Sequence, residues 1–263
     1  MDIPFMSGPN SAKFTSLRRF NIVMACLHFA QGVLMLVLSS DFSLPVTTAF
    51  LKFNTVAWAL EPDLQTAFTI PVGSLVAIFL FLSALAHLIV SLPTGYAWYV
   101  RNLQKGVNFA RWIEYAFSSS VMMVVISMLV GVYDLGSLLL VFFINAGMIL
   151  FGWIMELHNQ TTKKTDWTSY IFGCIMGAIP WVIVAINLFS AGEGDNKAPT
   201  FVYWIFFSIF LFFNVFAINM ILQYKKVGKW SDYLYGERAY IILSLVAKSL
   251  LAWQVFAGTL RPV

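Results

Sequence analysis

The chain has 263 residues, 60% of them hydrophobic and only 11% charged, with a formal net charge of +4. Soluble domains carry about 25% charged residues, so this composition and a mean hydropathy of +0.80 exclude a soluble globular domain and point to an integral membrane protein. A helix crosses a ~30 Å hydrocarbon core in about 20 apolar residues, and the chain has room for seven such spans in a single membrane domain over residues 1–263, with no soluble second domain.

In chain order, the stretch "FNIVMACLHFAQGVLMLVLSS" is too long for a signal-peptide core and has no small-residue cleavage site, so it reads as a retained first helix over 16–39. The 41–70 connection is the one long loop, and its "KFNTVAWALEP" alternates weakly, which fits a short β-hairpin. Helix 2 is expected over 71–93, from Pro71 to the "SLPTG" break. Helix 3 runs over 103–131 and stops before "YDLG", helix 4 over 137–157 and helix 5 over 168–190. After the "AGEGDNKAP" break, helix 6 covers 200–224 and helix 7 covers 238–260. No strand pattern of a membrane barrel is present. The fold class is therefore all-α, a seven-transmembrane-helix bundle. Cys26 and Cys174 both fall in apolar segments, where they read as small buried hydrophobes and not as a disulfide or metal framework.

Basic residues set an expected direction. Lys13, Arg18 and Arg19 precede helix 1; Arg101, Lys105 and Arg111 open helix 3; Lys163 and Lys164 join helices 4 and 5; Lys225, Lys226, Lys229 and Arg238 join helices 6 and 7. The opposite side has only Lys52, Lys197 and Arg261. The positive-inside rule places the crowded side, and with it the N-terminus, in the cytoplasm of a multi-pass cell-membrane protein, and the C-terminus outside. The sequon Asn159-Gln160-Thr161 then faces the cytoplasm and stays unmodified.

One cation breaks the pattern. Lys248 lies in "AYIILSLVAKSLLAWQVFAG", ten residues into the expected helix 7. At ~1.5 Å per residue that is roughly 15 Å deep, where a charge costs on the order of 2.5–3.5 kcal/mol even on lenient insertion scales. A structural lysine bonded to a carbonyl or carboxylate is one reading. A cation-translocating site and a covalent amine are the functional ones, because a lysine in an apolar pocket deprotonates readily and becomes a nucleophile towards aldehydes. The one carboxylate placed to meet it is Glu114 in "NFARWIEYAFSSSVMM"; Asp134 and Glu156 sit at helix ends. A local Arg111–Glu114 pair at i, i+3 competes with that assignment. His28 with Gln31, Ser83 with His87, and Ser244 one turn before Lys248 add polar groups at helical spacing, which favours a shared hydrated cavity over isolated packing residues. No metal-site spacing is present. Trp181, the Phe206, Phe210 and Phe213 stripe, and Trp253 are either ordinary packing or the walls of a slot for a flat conjugated ligand.

These residues resemble a retinal protein. Seven helices, a lysine in the last one and a carboxylate three residues after an arginine ("RWIE") are similar to the microbial rhodopsins, and the inverted direction is that of the heliorhodopsins. The likeness extends through "NAGMILFGW", "IPW", "LFLFFN", "LQYKKVGKWSDYLYGERAYI" and "LSLVAKSLLAWQVFAGTL", nearly the whole chain. The resemblance implies all-trans retinal bound as a protonated Schiff base on Lys248, with Glu114 as counterion and Ser244 nearby. It implies a cavity around His28, Gln31, Ser83 and His87, and a pocket completed by Tyr115, Ser118, Met122, Met148, Trp181, Phe213 and Trp253. A homodimer in the lipid bilayer and a small sheet in the first extracellular loop are implied as well; no nucleic-acid partner is. Glu114 would hold the proton on the buried cation and tune its colour, and the histidines would take the proton after light. The outward half of helix 3, "SSSVMMVVISMLVG", has no ionisable group, so a relay across the membrane is missing. The expected function is a sensory or regulatory photoreceptor without pumping, and not an enzyme; a light-gated ion or proton channel is the alternative.

Overall fold

The computed structural model describes residues 11–190 and 197–260. Residues 191–196 of the "AGEGDNKAP" break, and Arg261, lie outside the described residues. The elements are α1 (Ser11–Leu38), β1 (Ser43–Asn54), β2 (Ala59–Pro71), α2 (Val72–Ile89), α3 (Pro93–Gln104), α4 (Phe109–Leu129), α5 (Leu135–His158), α6 (Thr168–Ser190), α7 (Thr200–Tyr224) and α8 (Tyr233–Val255), the last continued by a π turn over Phe256–Leu260. Among the described residues seven helices are long and apolar enough to span a membrane, all of these except α3. The architecture is thus a seven-span helical bundle with one two-stranded antiparallel hairpin.

The hairpin fills the expected loop and is longer than the alternation in "KFNTVAWALEP" shows. Its register runs from Ser43 opposite Pro71 to Asn54 opposite Ala59, with a bulge between Val46 and Thr47. Asn54 Oδ1 closes the turn by accepting from Val56 N at 2.9 Å and Ala57 N at 3.1 Å. Leu44 and Val46 at its base are buried in the main core, and Thr47 N donates to Tyr133 O at 2.8 Å. Phe50, Leu51, Val56, Trp58 and Leu64 towards the tip are exposed.

Two boundaries differ from the sequence expectation. Residues 93–104 form a separate helix, α3, and α4 begins at Phe109 instead of continuing from 103. Pro93 starts α3 at a position where its missing N–H costs nothing. Gly106, at φ +74°, ends it: Val107 N bonds Asn102 O and Gly106 N bonds Leu103 O, the paired C-terminal bonds that a left-handed residue permits. Asn108 then caps α4 by accepting from Arg111 N at 3.1 Å. At the other end of the chain, Asp232 accepts from Leu234 N at 3.0 Å and starts α8 at Tyr233, five residues earlier than the apolar run begins.

The core lies between α2, α4 and α8. Phe79 and Leu80, Met123 and Ile126, and Leu251 have essentially no accessible surface. The helices α5, α6 and α7 turn large apolar side chains outward, among them Leu140, Ile175, Ile186, Trp204 and Leu211, as lipid-facing helices do. Cys26 and Cys174 are exposed as well, which corrects the expectation that both are buried. In a helix apolar all round, hydropathy does not separate the lipid face from the core face.

Candidate functional site

The helices α2, α4 and α8 bring four polar side chains to one point. Lys248 Nζ donates to Glu114 Oε1 at 2.8 Å and to Ser244 Oγ at 2.7 Å. Ser83 Oγ donates to the same Glu114 oxygen at 2.6 Å. Both charged side chains are buried, at 4% exposure for Lys248 and 8% for Glu114. Because α4 begins at Phe109, Glu114 lies only about 7.5 Å along that helix. The pair still closes because the lysine leans towards the N-terminal end of α8, back over Ser244, in the direction side chains tilt on a helix. The competing Arg111–Glu114 pair does not form; Arg111 is engaged elsewhere.

Lys248 lines an apolar cavity of about 290 Å³, just below the ~300–1,000 Å³ range of ligand pockets. Tyr115, Met122, Met148, Trp181, Phe213 and Ser244 of the expected set all line it. Trp181 meets Phe210 and Phe213 edge-on, with centroids 5.3 Å apart, and these three rings form one wall, with Phe206 packed edge-on against Trp181 at 5.8 Å outside the lining. Gly152 and Gly177 keep the slot open: a Cβ on Gly152 would press on the Trp112 ring, and one on Gly177 would press on Met148. Cys174, Ala178, Phe210 and Asn214 border the cavity while being exposed, so it opens sideways between α6 and α7.

On the other side of Glu114 lies a second, smaller cavity of about 40 Å³, enough for a few waters. His87 and Glu114 both line it, together with Asn21, Tyr99, Asn108 and Arg111. His87 Nδ1 sits 2.7 Å from Asn21 Oδ1, and its ring stacks on His28 at 5.7 Å. His28 is fully buried, and neither of its ring nitrogens has a hydrogen-bond partner among the described residues. Ser118, one turn past Glu114, is buried with an unpartnered hydroxyl. Gln31 and Trp253 depart from expectation. Trp253 Nε1 donates to Gln31 Oε1 at 3.2 Å on an exposed flank, and neither residue lines either cavity. Spacing alone put Gln31 on the face of His28, but a three-residue step on a helix turns the side chain by about 60° from its partner.

Sequence reasoning missed a cluster next to the small cavity. Arg111 is buried between two carboxylates, with Nη2 2.5 Å from Glu156 Oε1 and Nη1 2.6 Å from Glu237 Oε1. Its guanidinium also lies 4.3 Å from the Trp112 ring centre and 3.9 Å from that of Tyr240. Glu156 further accepts from Asn108 N, Trp112 Nε1 and Tyr233 OH, and Glu237 accepts from Asn108 Nδ2 at 2.6 Å. The available signal was that Arg111, Glu156 and Glu237 all fall near span ends on the same, lysine-rich side.

Comparison with known proteins agrees with this geometry. A family model described as Heliorhodopsin matches residues 17–260, and no curated protein matches the chain. The chain belongs to the heliorhodopsin family, and so to the rhodopsin-like, retinal-binding membrane photoreceptors.

Proposed function

We propose that this heliorhodopsin is a light sensor that carries retinal on Lys248 and moves a proton locally without transporting ions. The observation that carries the reading is a buried primary amine, paired with a single carboxylate, lining an apolar, ring-walled slot. The residues present fit the group: the amine is the attachment point for an aldehyde, and the slot accepts a flat polyene. Bound there in the all-trans form as a protonated Schiff base, retinal would supply visible absorption and a double bond whose isomerisation under light changes the surroundings of Nζ.

The chain's own residues do the rest. Glu114 supplies the anion that a buried cation needs, and Ser83 fixes which carboxylate oxygen faces Nζ. Ser244 accepts from Nζ and orients it along α8. Trp181 and Phe213 confine the slot, while Met122 and Met148 fill it with adaptable side chains. A proton leaving Nζ has the small cavity beside Glu114 as its outlet, with the His87 imidazole on the wall and the His28 ring stacked behind it, each with a ring nitrogen able to accept a proton. Towards the hairpin end, the spans contain no Asp, Glu, Lys, Arg or His beyond Lys248 among the described residues, so a transmembrane relay has no stations there. The lysine-rich ends of the helices face the cytoplasm in this reading, by the charge bias of the loops, and the protein works as a homodimer in the bilayer.

The test is the Lys248→Ala variant supplied with all-trans retinal. It is expected to stay colourless where the unaltered chain becomes coloured and is bleached by hydroxylamine. A coloured variant rejects the attachment site, and sustained light-evoked current under voltage clamp rejects the reading without transport in favour of a channel.

A further inference from the structure

The Arg111 cluster has more negative than positive charge. One guanidinium faces two carboxylates, Glu156 at 3% exposure and Glu237 at 0%. Lys248 and Glu114 balance each other, so the ionised cluster carries one uncompensated negative charge inside the protein. An unpaired buried charge costs several kcal/mol, and a proton is the cheapest way to cancel it. The two carboxylates differ in how ready they are to take one. Glu156 is saturated by four donors: Arg111, Tyr233, Asn108 N and Trp112 Nε1. Glu237 accepts from two, Arg111 Nη1 and Asn108 Nδ2, which leaves lone pairs free on both of its oxygens.

Glu237 is also connected to the place where a proton is released. Asn108 and Arg111, its two partners, both line the small cavity that Glu114 and His87 share. Tyr99 lines the same cavity from α3, outside the spans, and its phenol is pushed above the ordinary range first by burial and then by the Glu237 carboxylate. The Tyr99 hydroxyl can both donate and accept, and it shares the cavity wall with Asn108, which is bonded to Glu237.

We propose that Glu237 is the resting place of the proton that leaves Lys248 Nζ, reached through the waters of the small cavity and the Tyr99 hydroxyl. The N–H bond at Nζ breaks with its electron pair staying on nitrogen, and an O–H bond forms on a Glu237 oxygen. His87 is a station on the way, and Arg111 keeps Glu156 ionised while Glu237 is neutralised. The total charge of the buried groups is unchanged by the transfer: the uncompensated negative charge passes from the Arg111 cluster to Glu114, which holds it until the proton returns. This inference rests on the retinal-on-Lys248 reading.

The experiment is light-minus-dark infrared difference spectroscopy on the chain reconstituted with all-trans retinal. A carbonyl stretch of a newly protonated carboxylic acid is expected to appear while the visible band is lost. Glu237→Gln is expected to remove that band and Glu156→Gln to retain it. If Glu237→Gln fails to fold, Glu237→Asp keeps a carboxyl and is expected to shift the band in frequency. In the retinal-free chain, acidification in the dark reports the same group, as a carbonyl band that Glu237→Gln eliminates. A chain that stays colourless with retinal overturns the underlying reading and this inference with it. A coloured chain whose light-induced carboxylic band is absent, or is unaltered by both Glu237 substitutions, overturns this inference alone.

Discussion

Replacing Arg111 with Met tests whether the buried cluster is held by charge pairing. The substitution removes the guanidinium that lies 2.5 Å from Glu156 and 2.6 Å from Glu237, in a site where all three side chains are at most 4% exposed. Methionine keeps much of the stem that packs on Trp112 and Tyr240, so the loss is chiefly electrostatic. Breaking a buried pair by deleting one partner costs about 3–5 kcal/mol. At roughly 2–4 °C of melting temperature per kcal/mol for a chain of this size class, that is a fall of about 6–20 °C. The triple variant Arg111→Met, Glu156→Gln, Glu237→Gln has no stranded charge and is expected to recover most of it. Intrinsic tryptophan fluorescence followed on heating in detergent, without retinal, measures both. A single variant that melts with the unaltered chain, or a triple variant no more stable than the single, would refute the reasoning.

Glu114→Gln removes the anion 2.8 Å from Nζ, so the visible band is expected to move to longer wavelength, or to be lost at neutral pH, in an absorption titration; an unchanged spectrum at all pH values means another group is the counterion. His28→Phe with His87→Phe keeps the stacked rings but removes the proton-accepting nitrogens. Colour is expected to persist while the recovery rate after a flash changes several-fold, and unaltered kinetics count against the histidines. Gly177→Leu pushes a side chain onto Met148 in the slot. Overpacking of about 1–3 kcal/mol corresponds to roughly 5- to 150-fold weaker retinal uptake, read as colour formed against retinal added. Full uptake would place the polyene elsewhere.

The spans and the ion pair were legible for the same reason. In a chain this apolar, Lys248 stands out as a charge deep in a span, and a helix expected to begin at 103 makes Glu114 the carboxylate placed to meet it. Arg111, Glu156 and Glu237 were not legible because each lies within a turn or two of a helix end, where a single helix would offer it to water. Burial arises only when the ends of α4, α5 and α8 converge, a tertiary fact with no local signature. The boundary at α3 was hidden because "YAWYVRNLQKG" continues the polar start expected of a span, and only the positive φ of Gly106 separates the two helices. Gln31, assigned by spacing, and Trp253, assigned by resemblance, lie on a flank that the bundle turns outward.

The hairpin is fastened at its base and free at its tip. Thr47 is bonded to Tyr133, immediately before the Asp134 that caps α5 through Ser137 N. From Thr47 to Asn54 the strand reaches about 23 Å at ~3.3 Å per residue. A 10° tilt of the α5 terminus would therefore sweep Trp58 through roughly 4 Å. Small motions within the bundle are geared up into a displacement outside it, which makes this two-stranded arm a pointer on which a spectroscopic label would read the state of the helices.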